Sequence, residues 1–449
     1  MKTPIYTFLK GYANEAPARF HMPGHKGRTV IGPESIDLTE VDGADVLYHE
    51  NGIILESETI ASGIFHTGRT FYSTEGSTLA IKAMLFAVSR GVRKTNRRIL
   101  AARNVHKAFV YGCALLDLDV EWLFSESGDT HYLTSRVTAE QVESVLRNDA
   151  NFCAVYITSP DYLGATSDVE AIARACHKYQ VPLLVDNAHG AYLAFLQPSR
   201  HPIALGADLC ADSAHKTLPV LTGGAYLHVS KTAPEGLIKN AEDGLRLFAS
   251  TSPSYLTLAS LDKCNEYLGD DGACMRAALS KIVSRVESLL ATCRELGLPV
   301  IPSDEPLKLC LSLFASDLGR FREILNAHRV VPEMCDNGVV VFMFSTETQD
   351  KDFGMLQAAL KALAEKPLKA PPVPMRGSCE PTVALCIRDA MMLSAETVKV
   401  RDALGRICAL PSVSCPPAVP IVISGEVITQ EVVDALLFYG YEEIDVVKK

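Results

Sequence analysis

Apolar runs of four to six residues recur through the middle of the chain: RILAA (98–102), CAVYIT (153–158), PLLVD (182–186) and ADLCAD (207–212). Runs this short and uniformly apolar predict β-strands covered on both faces. GAYLHVS (224–230) predicts one more. Around and between them, ESETIASGIFH (56–66), STLAIKAMLFAVSRGV (77–92), AEQVESVLRND (139–149) and DVEAIARACHKYQ (168–180) place apolar residues at helical spacing. Alternation of this kind builds a parallel sheet with helices on both faces, an α/β fold.

Outside that core the pattern changes. Residues 1–55 are turn-rich, with HMPGHKGR (21–28) and GPESIDLTEVDGADV (32–46) reading as loops, and predict an arm. A long helical tract leads out near residue 300, giving a large domain over 56–300. Strands KLCLSLFA and GVVVFMF mixed with helices FREILNAH and FGMLQAALKALAEK predict a smaller α+β domain over 301–365. KPLKAPPVPMRG (366–377) holds four prolines and reads as an extended linker before a C-terminal domain over 378–449.

Composition narrows the function classes. The 449 residues carry 43 basic and 53 acidic side chains, a formal charge of −10, which disfavours a nucleic-acid footprint. Thirteen cysteines without a CxxC pair predict reduced thiols in a cytoplasmic protein, with no metal site. The N-terminus lacks the continuous apolar core of a signal peptide. No apolar run approaches the ~18–20 residues of a membrane span.

Candidate chemistry gathers where strands end, the ligand edge of an open parallel sheet. Lys216, in DSAHK (212–216), is a candidate nucleophilic amine, although taken alone the motif better describes a surface loop lysine. Asp186 closes an apolar strand in LLVDNAHGAY, where a turn-initiating Asp-Asn pair is the plain alternative. One strand–helix excursion separates the two, enough to set them on neighbouring strand ends. A carboxylate for a pyridinium nitrogen and a lysine for an aldehyde are the two groups that pyridoxal phosphate (PLP) requires. STEGSTLAIKAM (73–84) brings Ser77 and Thr78 to a helix N-terminus, which suits a phosphate or, alone, a simple N-cap. Ser213 offers a second phosphate contact. His106, just past a strand, can stack on a flat ring or sit as an ordinary loop histidine.

Taken together, FHMPGHKGR, DLTEVDGAD, GSTLAIKA, ARNVHKA, TSPDYLGATSD, DNAHGAY, DSAHKTLPVLTGGAYLH, TSPSYLTLASLD and PPAVPIVISGE give the chain a resemblance to the Orn/Lys/Arg decarboxylases in their short bacterial form. The resemblance implies a fold-type I PLP-dependent transferase fold with a mostly parallel seven-stranded sheet sandwiched by helices. It implies decarboxylation of a basic L-amino acid, with arginine favoured, serving polyamine metabolism through a Schiff base on Lys216 and a quinonoid intermediate. Asp186 becomes the pyridinium partner, His106 the stacking histidine, and Ser77, Thr78, Ser213 and His215 the phosphate ligands. His189 falls near the cofactor's phenolic oxygen or the substrate. Thr251 and Ser252 match residues that reach a neighbouring subunit's cofactor, which implies a homodimer or a dimer-based oligomer. Glu40, Asp42 and Asp45 are candidates for the substrate's cationic end, a hydrated acidic loop being the alternative. The chain departs from the family pattern at Val46 and Tyr48, where Asp-Asp-Leu-His is usual, at Glu75 in place of Asn, and at Ala418 in place of Gly. An aminotransferase or aldolase would use the same Lys-Asp pair, and a non-catalytic regulatory homologue remains a further alternative.

Overall fold

A computed structural model describes residues 1–49, 51–92, 97–125, 131–269, 272–336, 338–371, 373–375, 381–411 and 416–448. The first half runs α1 (Pro4–Glu15), α2 (Ile53–Ile64), β1 (Arg69–Ser73), α3 (Gly76–Ser89), β2 (Arg98–Ala102), α4 (Lys107–Leu116) and β3 (Asp119–Leu123). It continues with α5 (Ala139–Asn148), β4 (Ala154–Thr158), α6 (Val169–Lys178), β5 (Leu183–Asp186), β6 (Leu209–Asp212) and α7 (Ala214–Thr217). Then come β7 (Ala225–Val229), α8 (Leu237–Phe248) and α9 (Tyr255–Leu268). The seven strands take the lateral order β1-β7-β6-β5-β4-β2-β3. β5 and β6 are parallel, as are β2 and β3, whereas β7 runs antiparallel to both β6 and β1. The mostly parallel seven-stranded sheet is as expected.

Two compact units can be separated, residues 1–92, 153–155 and 169–279 forming one and the remainder the other. In the first unit, every residue of β5, β6 and β7 is buried, which explains their continuous apolar sequences. α3 buries nine of its residues and lies close to α8, where a Cβ on Gly244 would stand 3.0 Å from Ala83 Cα. The arm holds a helix that the sequence reading passed over. α1 buries Ile5 and Leu9, and the Tyr6 amide in its first turn donates to Asp262 of α9 at 2.9 Å. The apolar spacing of Ile5, Leu9 and Tyr12 was helical, but Gly11 and the turn-rich stretch that follows masked it.

The second unit continues with α10 (Ala273–Glu295), which begins in the first, then β8 (Val300–Ile301), β9 (Lys308–Ser312), α11 (Ala315–Ala327), β10 (Met334–Asp336), β11 (Val339–Met343) and α12 (Asp350–Ala364). Its four strands pair antiparallel in the order β10-β11-β9-β8. In the linker stretch, residues 372, 376 and 377 lie outside the described residues. The C-terminal part adds α13 (Ile387–Met392), β12 (Ala395–Lys399), β13 (Cys408–Leu410), α14 (Gln430–Phe438) and β14 (Glu443–Val447). Its antiparallel sheet, ordered β12-β14-β13, was not anticipated, because these strands are brief and half-polar. Arg103 holds Glu426 through two parallel bonds of 2.7 Å, a geometry that favours guanidinium over ammonium. The described cysteines are free thiols, most of them buried. No helix among the described residues is long and apolar enough to cross a membrane.

The loop after β4 is organised by buried charge. Asp161 accepts the amides of Leu163 and Ala165 at 2.9 Å each, and Lys308 Nζ donates to the Asp161 carbonyl at 3.1 Å and pairs with Glu305 at 2.8 Å. Burial pushes the Asp161 carboxyl up to about 6, against the pull of those amides and of Lys308. Between its ordinary value near 4 and 6, the folded chain therefore holds more protons than the unfolded one, and stability falls as pH rises through that window. Asp161→Asn should remove this slope. In urea unfolding, the stability of the variant relative to wild type should climb by about 1–3 kcal/mol from pH 4 to 7, and parallel pH curves would contradict the account.

Candidate active site

β5 and β6 pair in register with Asp186 opposite Ala211, so both chains leave the sheet at the same edge. Asp186, the last residue of β5, is 2% exposed, and its Oδ1 accepts the Ala188 amide at 3.2 Å. That short bond turns the chain so that His189 follows within one turn. On the next strand, Asp212 ends β6 and Ser213 opens α7, whose amides begin a single helical turn carrying His215 and Lys216. Lys216 Nζ lies 2.8 Å from His189 Nε2. An ammonium there donates to the neutral imidazole nitrogen, so the pair can hand a proton from amine to ring. The predicted neighbouring strand ends are thus in place, with His189 reaching the lysine directly.

The helix-start signal also falls in this unit. Gly76 begins α3 with φ +70°, and its amide donates to the Gly223 carbonyl at 2.7 Å. Gly223 has φ +92°, and a Cβ on it would stand 2.8 Å from the Thr74 carbonyl. Only glycine lets the 221–224 loop close on the turn before α3. Ser213 Oγ donates to Ser77 Oγ at 2.8 Å, which joins the α3 start to the α7 start. Thr78 is exposed on the first turn of α3. His215 Nδ1 donates to the Gly224 carbonyl at 3.0 Å, which fixes its ring. A helix N-terminus with two serine hydroxyls and a threonine suits a phosphate. The donor set therefore fits PLP: a buried carboxylate for the ring nitrogen, an amine for the aldehyde, and a hydroxyl-lined helix start for the phosphate.

Other sequence candidates take different places. His106 belongs to the second unit, where it caps α4 and its Nδ1 accepts the Ala108 amide at 3.1 Å. Thr251 and Ser252 are exposed in the segment between α8 and α9. Asp45 accepts four backbone amides, those of Val46, Asn51, Gly52 and Ile54, at 2.9–3.1 Å, which caps the start of α2. Glu40 is half-buried and accepts the Thr39 hydroxyl, while Asp42 is exposed. Glu75, the residue just before α3, accepts the Ser250 amide at 2.8 Å.

Asp212 itself went unnoticed in the sequence. Its Oδ2 accepts from His201 Nε2 at 2.9 Å and lies 3.3 Å from His228 Nε2, and its Oδ1 accepts from Asn187 Nδ2 at 2.8 Å. Burial alone would raise its carboxyl, but His201 and His228 outweigh that and hold it well below the carboxylate range. His201, Cys210 and Asp212 are the one group with metal-ligand chemistry at close quarters among the described residues, and their donors already bond one another. The missed signal was an aspartate ending the strand just before Lys216.

The sequence profile of the Orn/Lys/Arg decarboxylase major domain matches residues 3–296, and that of the Orn/Lys/Arg decarboxylase C-terminal domain matches residues 378–442. The chain is 28% identical to an arginine decarboxylase of Bacillus subtilis over 96% of this chain and 92% of that protein. It is 29% identical to an arginine decarboxylase of Halalkalibacterium halodurans, covering 96% and 91%. Its fold is similar to that of the lysine decarboxylase LdcF of Francisella novicida, with TM-score 0.79 and 16% identity, covering 99% of this chain and 81% of that one. The fold is that of the fold-type I PLP-dependent enzymes.

A carboxylate beside a helix N-terminus competes there with an incoming anion. Glu75→Asn removes that charge and should tighten PLP binding about 2–5-fold at low salt, a difference that 0.5 M NaCl should erase. Fluorescence titration of the apoprotein measures it; unchanged affinity at low salt would show that Glu75 has no electrostatic reach to the phosphate.

Proposed function

The chain belongs to the Orn/Lys/Arg decarboxylase family, which makes it an amino acid decarboxylase and so a lyase, and from that premise we propose that it is a PLP-dependent decarboxylase of a basic L-amino acid, with L-arginine preferred. The observation that carries the reading is the 2.8 Å contact of Lys216 Nζ with His189 Nε2, with the buried Asp186 three residues before that histidine at the end of β5. His189 takes a proton from the Lys216 ammonium, leaving a neutral amine able to attack an aldehyde. The Asp186 carboxylate, shielded from water, would favour a protonated ring nitrogen in a bound cofactor. Ser77, Thr78, Ser213 and His215 would hold the phosphate of a bound cofactor. The bound cofactor supplies the electron sink for the pair released when the substrate's Cα–carboxylate bond breaks.

Support for arginine comes from the two relatives named as arginine decarboxylases at 28–29% identity over nearly the whole chain. A guanidinium wants carboxylates in planar, bidentate geometry. Of the acidic loop, Glu40 and Asp42 are the stronger candidates, since the oxygens of Asp45 already serve four amides. Exposed Thr251 and Ser252 suit a site completed by a second copy, so we assign a homodimer acting in the cytoplasm, in polyamine supply.

Purified protein supplied with PLP should release CO₂ and agmatine from L-arginine, with kcat/KM about tenfold or more above that for L-lysine and L-ornithine. Lys216→Ala should lower turnover at least about a thousandfold, equivalent to about 4 kcal/mol of barrier. Near-normal turnover in that variant, or product that forms only when a keto acid is added, would defeat the proposal.

A further inference from the structure

The turn that carries Asp186 and His189 and the turn that carries Lys216 are separate pieces of chain, and one buried residue pair joins them. Asn187 follows Asp186 directly. Its amide N–H donates to the Ala211 carbonyl at 2.9 Å, and its carbonyl accepts the Gly190 amide at 2.8 Å. Its side-chain Nδ2 donates to Asp212 Oδ1 at 2.8 Å. Asp212 immediately precedes the Ser213–Lys216 turn. A single asparagine thus fixes the end of β5, the turn to His189 and the start of α7 relative to one another.

The side chain of Asn187 packs where only a glycine at position 190 leaves it space. It is fully buried, and a Cβ on Gly190 would stand 2.0 Å from its Oδ1. A flipped amide would set Oδ1 against the Asp212 carboxylate, an acceptor against an acceptor. Asp212 is equally confined at 0% exposure, where an unpaired carboxylate would be strongly unfavourable. His201 Nε2 supplies a compensating hydrogen bond at 2.9 Å, and His228, whose Nε2 lies 3.3 Å from the carboxylate, is held in turn by Thr70 Oγ1, 2.8 Å from its Nδ1. Phe65 lies against both rings, 5.9 Å from His201 and 4.7 Å from His228, and closes the cluster to water.

We propose that Asn187 and Asp212 are positioning residues for the Lys216–His189 pair: the Asp212 carboxylate, held by His201 and His228, grips the Asn187 amide and so sets the lysine-bearing turn at bonding distance from the histidine-bearing one. Neither side chain is assigned a contact with cofactor or substrate, so their effect runs through the distance between Nζ and Nε2. Reaction geometry is sensitive to displacements of about 1 Å, which can change a rate about a hundredfold. The inference rests on the reading that Lys216 captures PLP.

The test uses the full-length apoprotein. PLP is added, the lysine-bound cofactor is trapped with borohydride at timed intervals, and labelling of Lys216 is followed by peptide mass spectrometry, with a thermal melt in parallel. Asn187→Ala should slow labelling of Lys216 about 10–100-fold and lower kcat with KM for the amino acid changed less than about twofold. Its melting temperature should fall by only a few degrees. Asp212→Asn retains an oxygen for the Asn187 amide and should label at an intermediate rate; it also carries the test if Asn187→Ala fails to fold. Wild-type labelling rates in both variants, or a slowing no greater than their unfolded fraction, would overturn the inference while the PLP reading stood. A wild-type protein that leaves Lys216 unlabelled would overturn both.

Discussion

The parallel pairing of β5 with β6, with Asp186 opposite Ala211, is the constraint on which the candidate site depends. Parallel strands send both chains out at the same edge of the sheet, and strands only four residues long leave no freedom in where they end. A shift of one residue would turn every side chain of either strand to the other face. Because all eight residues are buried, such a shift would move the whole apolar set at once, and burial resists it. Register, rather than loop shape, therefore decides that a carboxylate and an amine from distant parts of the sequence come to neighbouring positions.

That edge concentrates charge, and the protein satisfies each charge differently. Asp186 takes an amide of its own turn, whereas Asp212, one strand over and just as buried, takes two histidines and an asparagine. Two buried carboxylates on adjacent strands would repel if they were alike in their surroundings. His201 and Asn187 bond the two Asp212 oxygens within the interior. The same logic holds in the second unit, where the buried Lys308 is met by Glu305 and the Asp161 carbonyl, and Arg103 by Glu426.

The legible parts of the sequence were those where burial is two-sided or periodic. RILAA, PLLVD and the segment before Lys216 are uniformly apolar because helices or strands cover them entirely, and their strands match within one or two residues. DVEWL became β3 without being recognised, since its exposed and half-buried positions leave no apolar run to detect. Lys216, Asp186 and Ser77 stood out because their chemistry sits beside strand ends and helix starts, which local pattern reveals. His201 and His228 did not, as only the pairing of β6 with β7 and the return of the 191–202 segment bring them to Asp212. The same limit applied to the acidic loop. Asp45 has the composition of a cation ligand, but its four amide bonds follow from the fold of residues 45–54 and from nothing in the loop's charge.

Two of the departures from the family pattern make side-chain hydrogen bonds of their own, and a third is fastened through its backbone. Tyr48 is buried, and its hydroxyl donates to the Tyr72 carbonyl at 2.9 Å, so a longer side chain reaches into the interior of the first unit. Glu75 accepts the Ser250 amide at 2.8 Å through its carboxylate. Ala418 takes φ +58°, a conformation that glycine adopts more readily, yet its methyl is buried and its carbonyl accepts the Lys107 amide at 2.8 Å. The αL conformation costs about 1–2 kcal/mol for an alanine, and burial of its methyl recovers about 0.8 kcal/mol of that. Tyr48 and Glu75 thus alter how loops of the first unit are fastened, while the pairing of β5 with β6 involves neither of them.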